Sequence, residues 1–180
     1  MTLKLITQIV ASLTMVVFAG SAFDIATPSQ LAPLTSEKSD LELFMDAVAH
    51  RESGNNHLIV NQYGMMGKYQ FSKTTLRTLR RDLTPTVFLN NTYTQDTVMV
   101  LNLKMNNEVL NSFIIKYNGK IFKGVKITRS GVLAAAHLGG AGSVISWFRN
   151  SSQQGLVDAN GTSIRSYMVT FADYRIGKYL

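Results

Sequence analysis

Cysteine is absent from this chain. That excludes disulfides, thiolate metal sites, a cysteine nucleophile and a lipid-modified N-terminal cysteine, while leaving the compartment open. Histidine is scarce: three residues with no thiolate beside them make a poor zinc set. His50 and Glu52 are two apart, a spacing that does not bring them face to face on a helix. No Gly-x-Ser-x-Gly elbow occurs. Gly64-Met65-Met66-Gly67-Lys68 is too short for a phosphate-binding loop and lacks the Ser or Thr that would follow its lysine. There is no internal repeat and no low-complexity segment. Acidic residues are also few, 11 against 18 Lys and Arg, and the formal net charge of +7 points to an anionic partner. Nucleic acid, a membrane surface and an acidic wall polymer all satisfy that charge.

What is present suits one compact domain. Hydrophobic residues make up 46% of the 180 and charged residues 16%, enough to build a core and too apolar for a disordered chain. Lys4 precedes an apolar run from Leu5 to Phe18, interrupted by Thr7, Gln8, Ser12 and Thr14, and Ala19-Gly20-Ser21-Ala22 follows. A basic start, an apolar stretch of about 7–15 residues and small residues at a cut site are the pattern of a secretory signal. Residues 1–22 are therefore expected to be a signal peptide, cut after Ser21 or Ala22. The plain alternative is an uncleaved membrane anchor, for which ~20 apolar residues are the norm. Export implies a periplasmic or secreted location, no stable membrane span after cleavage, and no nucleic-acid partner. Residues 23–39, with Pro28 and Pro33 among Thr, Ser and Gln, read as an extended leader. Residues 40–180 read as the folded domain.

The stretch from Leu41 to Phe71 organises that domain. Leu41, Phe44, Met45 and Val48 recur at helical spacing, with Ser39 or Asp40 as cap. Glu52 ends the apolar stripe, and Ser53-Gly54 stops the helix. Partial burial and the negative end of a helix dipole both favour a neutral carboxyl, the form a general acid needs. His57–Val60 and Lys68–Phe71 read either as two short strands of a small hairpin or as an irregular loop. Ser72 caps a helix to about Leu83 whose Arg77, Arg80 and Arg81 form a basic outer face. Thr84-Pro85 opens a short turn of helix. A long helix begins near Thr92–Thr94, with Val98, Leu101, Met105, Val109 and Leu110 as its inner face, and Tyr117–Lys120 is a break. Thr128 or Ser130 starts a helix halted at Gly139-Gly140, another follows through Trp147 and Phe148, and Asp158–Gly161 is a loop. A last helix from Thr162 or Ser163 buries Ile164, Met168 and Phe171. The expected fold is a single, mainly helical domain with at most one small β-hairpin.

Three segments, in this order, resemble a known family. His50-Arg51-Glu52-Ser53-Gly54-Asn55 resembles the Glu-Ser-Gly signature of lytic transglycosylases and related lysozyme-fold enzymes. Tyr63-Gly64-Met65-Met66-Gly67-Lys68-Tyr69-Gln70-Phe71 is similar to their glycine-led segment ending in glutamine. Leu133-Ala134-Ala135-Ala136-His137-Leu138-Gly139-Gly140-Ala141-Gly142 is similar to their Ala-Tyr-Asn-Ala-Gly stretch. The resemblance runs from about Leu41 to Tyr174 and implies an α+β, lysozyme-like fold. It also implies a glutamate, here Glu52, that protonates the glycosidic oxygen between muramic acid and glucosamine in peptidoglycan and then closes an anhydro ring without water. No cofactor is required, and the implied partner is peptidoglycan glycan strands, cut either to remodel wall or to open a local gap for a larger cell-envelope assembly.

The departures lie in the groove. Ala136 stands where the family has tyrosine, His137 where it has asparagine, and Gly67-Lys68-Tyr69-Gln70 keeps only the glycine and glutamine of Gly-Leu-Met-Gln. Ser53, Tyr69, Gln70 and His137 are the expected substrate-binding residues beside Glu52. The plain alternatives are a helix-end hydrogen bond for Ser53, packing for Tyr69 and a satisfied core histidine for His137. A glycosidase with two acids needs a second carboxylate at about 5–5.5 or 6.5–9.5 Å, and Asp96, Glu108 and Asp158 are the candidates. Two rival functions follow: a hydrolytic muramidase, and a catalytically weak peptidoglycan-binding module.

Overall fold

A computed structural model describes residues 37–150 and 163–180. The expected signal peptide, nearly all of the expected leader and the expected loop at Asp158 lie outside these residues. Helix α1 spans Asp40–Ser53. Its start is fixed reciprocally: the Ser39 hydroxyl accepts from the Glu42 amide, and the Glu42 carboxylate accepts from the Ser39 amide. Its end is the left-handed Gly54 (φ 63°), whose amide returns to the His50 carbonyl at 3.0 Å while that of Asn55 reaches Ala49 at 3.2 Å.

Helices α2 (Lys73–Leu79), α3 (Pro85–Leu89) and α4 (Thr92–Tyr117) follow, capped by Ser72, Thr84 and Asn91. Helix α2 ends four residues before Leu83, because Arg80 leaves helical geometry and grips Asp82. The inner face of α4 also differs from the apolar reading. Val98, Met99, Leu103, Leu110 and Ile114 are buried together with Gln95, Asn102 and Asn106, whereas Val109 is half exposed. Polar side chains occupy the inward face because each finds a hydrogen-bond partner there.

Strands β1 (Ile121–Phe122) and β2 (Val125–Lys126) pair antiparallel, Ile121 opposite Lys126 and Phe122 opposite Val125. This is the small hairpin of the fold, and it lies after Tyr117, not in the 57–71 segment. That segment has only the single bridges Val60–Met66 and Met66–Phe71. Its amides are drawn off by side chains: Asn61 Oδ1 takes those of Tyr63 and Met65, and Gln95 Oε1 takes that of Lys68.

Helix α5 (Arg129–Arg149) is the central rod, broken at Gly140 (φ 79°, ψ 156°), and α6 (Ile164–Thr170) precedes a closing 3₁₀ turn at Ile176–Tyr179. Ser130 through Ala136 are all buried, as expected of a helix surrounded by protein. By length and composition alone α5 would pass as a membrane span, but 50% of its most apolar stretch is buried inside the fold. At Gly131 a side chain would meet the Met168 carbonyl at 2.4 Å, so glycine there lets α5 and α6 touch. Phe44 of α1 is fully buried against Phe171 and Tyr174 (centroids 6.0 and 5.5 Å). Its burial contributes about 2–3 kcal/mol and fixes how the Glu52-bearing helix sits on the domain.

Candidate active site

The last turn of α1 presents Glu52, partly buried, towards α6. The Tyr167 hydroxyl donates to Glu52 Oε1 at 2.8 Å. Tyr167 is 4% exposed. Lost hydration, then the charge of Glu52 and the hydrogen bond itself, push its pKa well above the ordinary phenol value, with Arg51 opposing. Tyr167 therefore remains a donor throughout the physiological range and holds one oxygen of the carboxyl in place. The sequence reading missed this residue. Its signal was spacing alone: Tyr167 follows Ile164 by three and precedes Phe171 by four, on the face that faces inward.

The 54–72 segment is fastened to three helices. From α1, the Ser53 hydroxyl donates to the Lys68 carbonyl at 2.8 Å. From α4, fully buried Gln95 accepts from the Lys68 amide at 2.8 Å and donates to the carbonyls of His57 and Phe88 at 2.9 and 3.1 Å. From α5, His137 Nε2 donates to the Tyr69 carbonyl at 2.9 Å. A carbonyl can only accept, so Nε2 carries the proton, and Nδ1 accepts from the Asn102 amide at 3.1 Å. Asn106 donates in turn to Asn102 Oδ1 at 3.1 Å.

The burial of His137 lowers its pKa, outweighing the nearby charge of Glu52 and the bond to Tyr69. One consequence is measurable. An unfolded histidine takes up a proton below about pH 6.5 and the folded one resists it, so this contribution to stability is complete above that pH and declines on acidification. The melting temperature is expected to fall further between pH 7 and 5 in the wild type than in His137→Gln. Parallel melting curves for the two proteins across that range would refute the assignment.

The remaining expected site residues divide. Tyr69 is buried, its hydroxyl donating to Asp96 Oδ1 at 2.5 Å, and Asp96 also pairs with Lys68 Nζ at 2.7 Å. Burial, then Asp96, raise the Tyr69 pKa far above the ordinary range. Gln70 adopts a left-handed backbone (φ 52°), and its side-chain amide donates to the Gly67 carbonyl at 2.8 Å. Gln70 and His137 both line a cleft of about 480 Å³ with Phe71, Asn102, Ala136 and Gly139–Ala141. Glu52 does not line the cleft itself but stands close enough for its charge to act on His137. Ser53 and Tyr69 thus serve the scaffold, while Gln70 and His137 edge the open space. Among the described residues, no three of His, Asp and Glu gather as a metal-ligand set.

The family model for the transglycosylase SLT domain matches residues 32–157. Comparison with curated proteins and with solved structures gave no match. Glu52, the 54–72 segment and His137 fall within the matched stretch, and Tyr167 lies beyond it.

Proposed function

The chain belongs to the transglycosylase SLT family, whose members act on peptidoglycan, and from that membership we propose that Glu52 cleaves the glycan strand by acid and then base catalysis. The observation carrying this reading is the carboxyl at the end of α1, fixed through Oε1 by Tyr167. Glu52 donates its proton to the oxygen linking muramic acid C1 to glucosamine, and that C–O bond breaks. The 6-hydroxyl of the muramic acid then attacks C1, and its proton returns to Glu52. Bonds and protons balance without water or a cofactor, and the product ends in anhydromuramic acid.

A single carboxyl suffices for this route, and among the described residues two candidate second acids have other surroundings. Asp96 is held by Tyr69 and Lys68, and Glu108 is exposed on α4. His137, neutral and with both ring nitrogens engaged by Tyr69 and Asn102, adds no charge to the cleft. The site of action in this reading is the periplasm or the exterior, where the wall lies, with an envelope assembly as the user of any gap opened. Mass spectrometry of digested sacculi tests the proposal. Fragments one water lighter than the hydrolytic products are expected; reducing ends throughout would establish a muramidase instead.

A further inference from the structure

Helix α2 has two working sides. Ser72 and Thr75 line the cleft described above. Thr74, Arg77 and Thr78, at the i, i+3 and i+4 spacing of a single face, line a separate shallow hollow of about 500 Å³, joined by Arg81 just past the helix end. Arg80 is not available to a ligand, because its Nε and Nη2 hold Asp82 at 2.9 and 2.6 Å. Arg77 and Arg81 are different: both are exposed, and neither has a carboxylate at ion-pairing distance among the described residues. Thr78 gives its hydroxyl proton to the Thr74 carbonyl at 3.1 Å, so the guanidinium groups are the principal donors of the hollow. Two planar cations with no acid between them complement an oxyanion, and a carboxylate matches the guanidinium fork in two-point contact.

Distance selects the source of that carboxylate. A helix with its side chains is about 10–12 Å thick, so a strand in the cleft lies roughly that far from the arginines. An extended peptide of four residues spans up to about 14 Å. The peptide stems of peptidoglycan leave the glycan at each muramic acid and carry free carboxylates, whereas the sugar hydroxyls carry no charge. We propose that Arg77 and Arg81 bind the carboxylates of the peptide stem on the strand occupying the neighbouring cleft, so that the chain favours stem-bearing over bare glycan. This inference rests on the peptidoglycan reading of the cleft and is independent of which residue performs catalysis.

The test counts bound protein, not product. Glu52→Gln protein is sedimented with intact sacculi and with sacculi whose stems an amidase has removed, and the same is done after adding Arg77→Gln and Arg81→Gln. Intact sacculi are expected to be bound about five- to tenfold more tightly than stripped ones, the range for two exposed charge-assisted contacts, and the arginine substitutions are expected to erase that difference. Equal binding to both sacculi, or a preference that survives the substitutions, overturns the proposal. Phosphatidylglycerol vesicles provide the other arm: arginine-dependent binding to vesicles but not to sacculi would assign the hollow to a lipid surface and likewise overturn it. An absence of anhydro products from the wild type would refute the cleavage mechanism while leaving this binding comparison intact.

Discussion

Glu52→Gln is expected to lower the rate of sacculus clearing by at least about a thousandfold, within the range that a positioned general acid contributes. The substitution is nearly isosteric, and its amide oxygen can still accept from the Tyr167 hydroxyl that now meets Oε1 at 2.8 Å. What is lost is the proton that the leaving oxygen must receive. Glu52 lies at the end of α1 and only partly in the interior, so the melting temperature should change little and sacculus binding should persist. A turbidity assay and a melting curve on the same preparation separate the two effects. Turnover remaining within tenfold of wild type would remove Glu52 from the chemistry. If the wild type itself pulls down sacculi without clearing them, the chain is a binding module, as Ala136 in place of the family tyrosine would allow.

The largest effect on stability is expected from Gly67→Ala. The backbone there is left-handed (φ 72°), and an added Cβ would lie 2.4 Å from Gln95 Oε1 and 3.0 Å from Phe88 Cε1. The left-handed conformation costs a non-glycine residue about 1–2 kcal/mol, and overpacking adds about 1–3 kcal/mol. The clash is not with a loose surface chain. Gln95 is fully buried and bonds Lys68, His57 and Phe88 together, so it cannot yield without releasing those contacts. A loss of about 3 kcal/mol should lower the melting temperature by roughly 6–12 °C. Activity should fall even below the melting transition, because Gln70 and the Tyr69 carbonyl move with the same segment. Gly64→Ala is the control, with a similar φ of 74° but nothing within 4 Å, and it should cost only the backbone part. Equal losses at the two positions would show that the contact with Gln95 is unimportant.

Helix starts were the most legible part of the chain. Ser39, Ser72, Thr84 and Ser163 each cap where their hydroxyl chemistry suggests, and Gly54 ends α1. The hairpin was misplaced because alternation in 57–71 is weak. Nothing local revealed that Asn61 and Gln95 would take the amides a strand ladder needs. The inner face of α4 was misread because Gln95 and Asn102 look like solvent-facing residues until partners arrive from 38 and 35 positions away, and Asn106 bonds Asn102 in turn.

Local residue chemistry alone determined where the chain turns, caps and breaks, that it forms one mainly helical domain, and that a glutamate stands at the end of an apolar helix. Those properties depend on spacings of a few residues, which a linear text preserves. Only tertiary structure decided that Tyr167, 115 positions away, donates to that glutamate, and that His137 is a neutral donor to the Tyr69 carbonyl. Hydrogen-bond partnership and lost hydration are properties of the folded neighbourhood, and they arise when α1, α4 and α5 close on the 54–72 segment and α6 meets the end of α1.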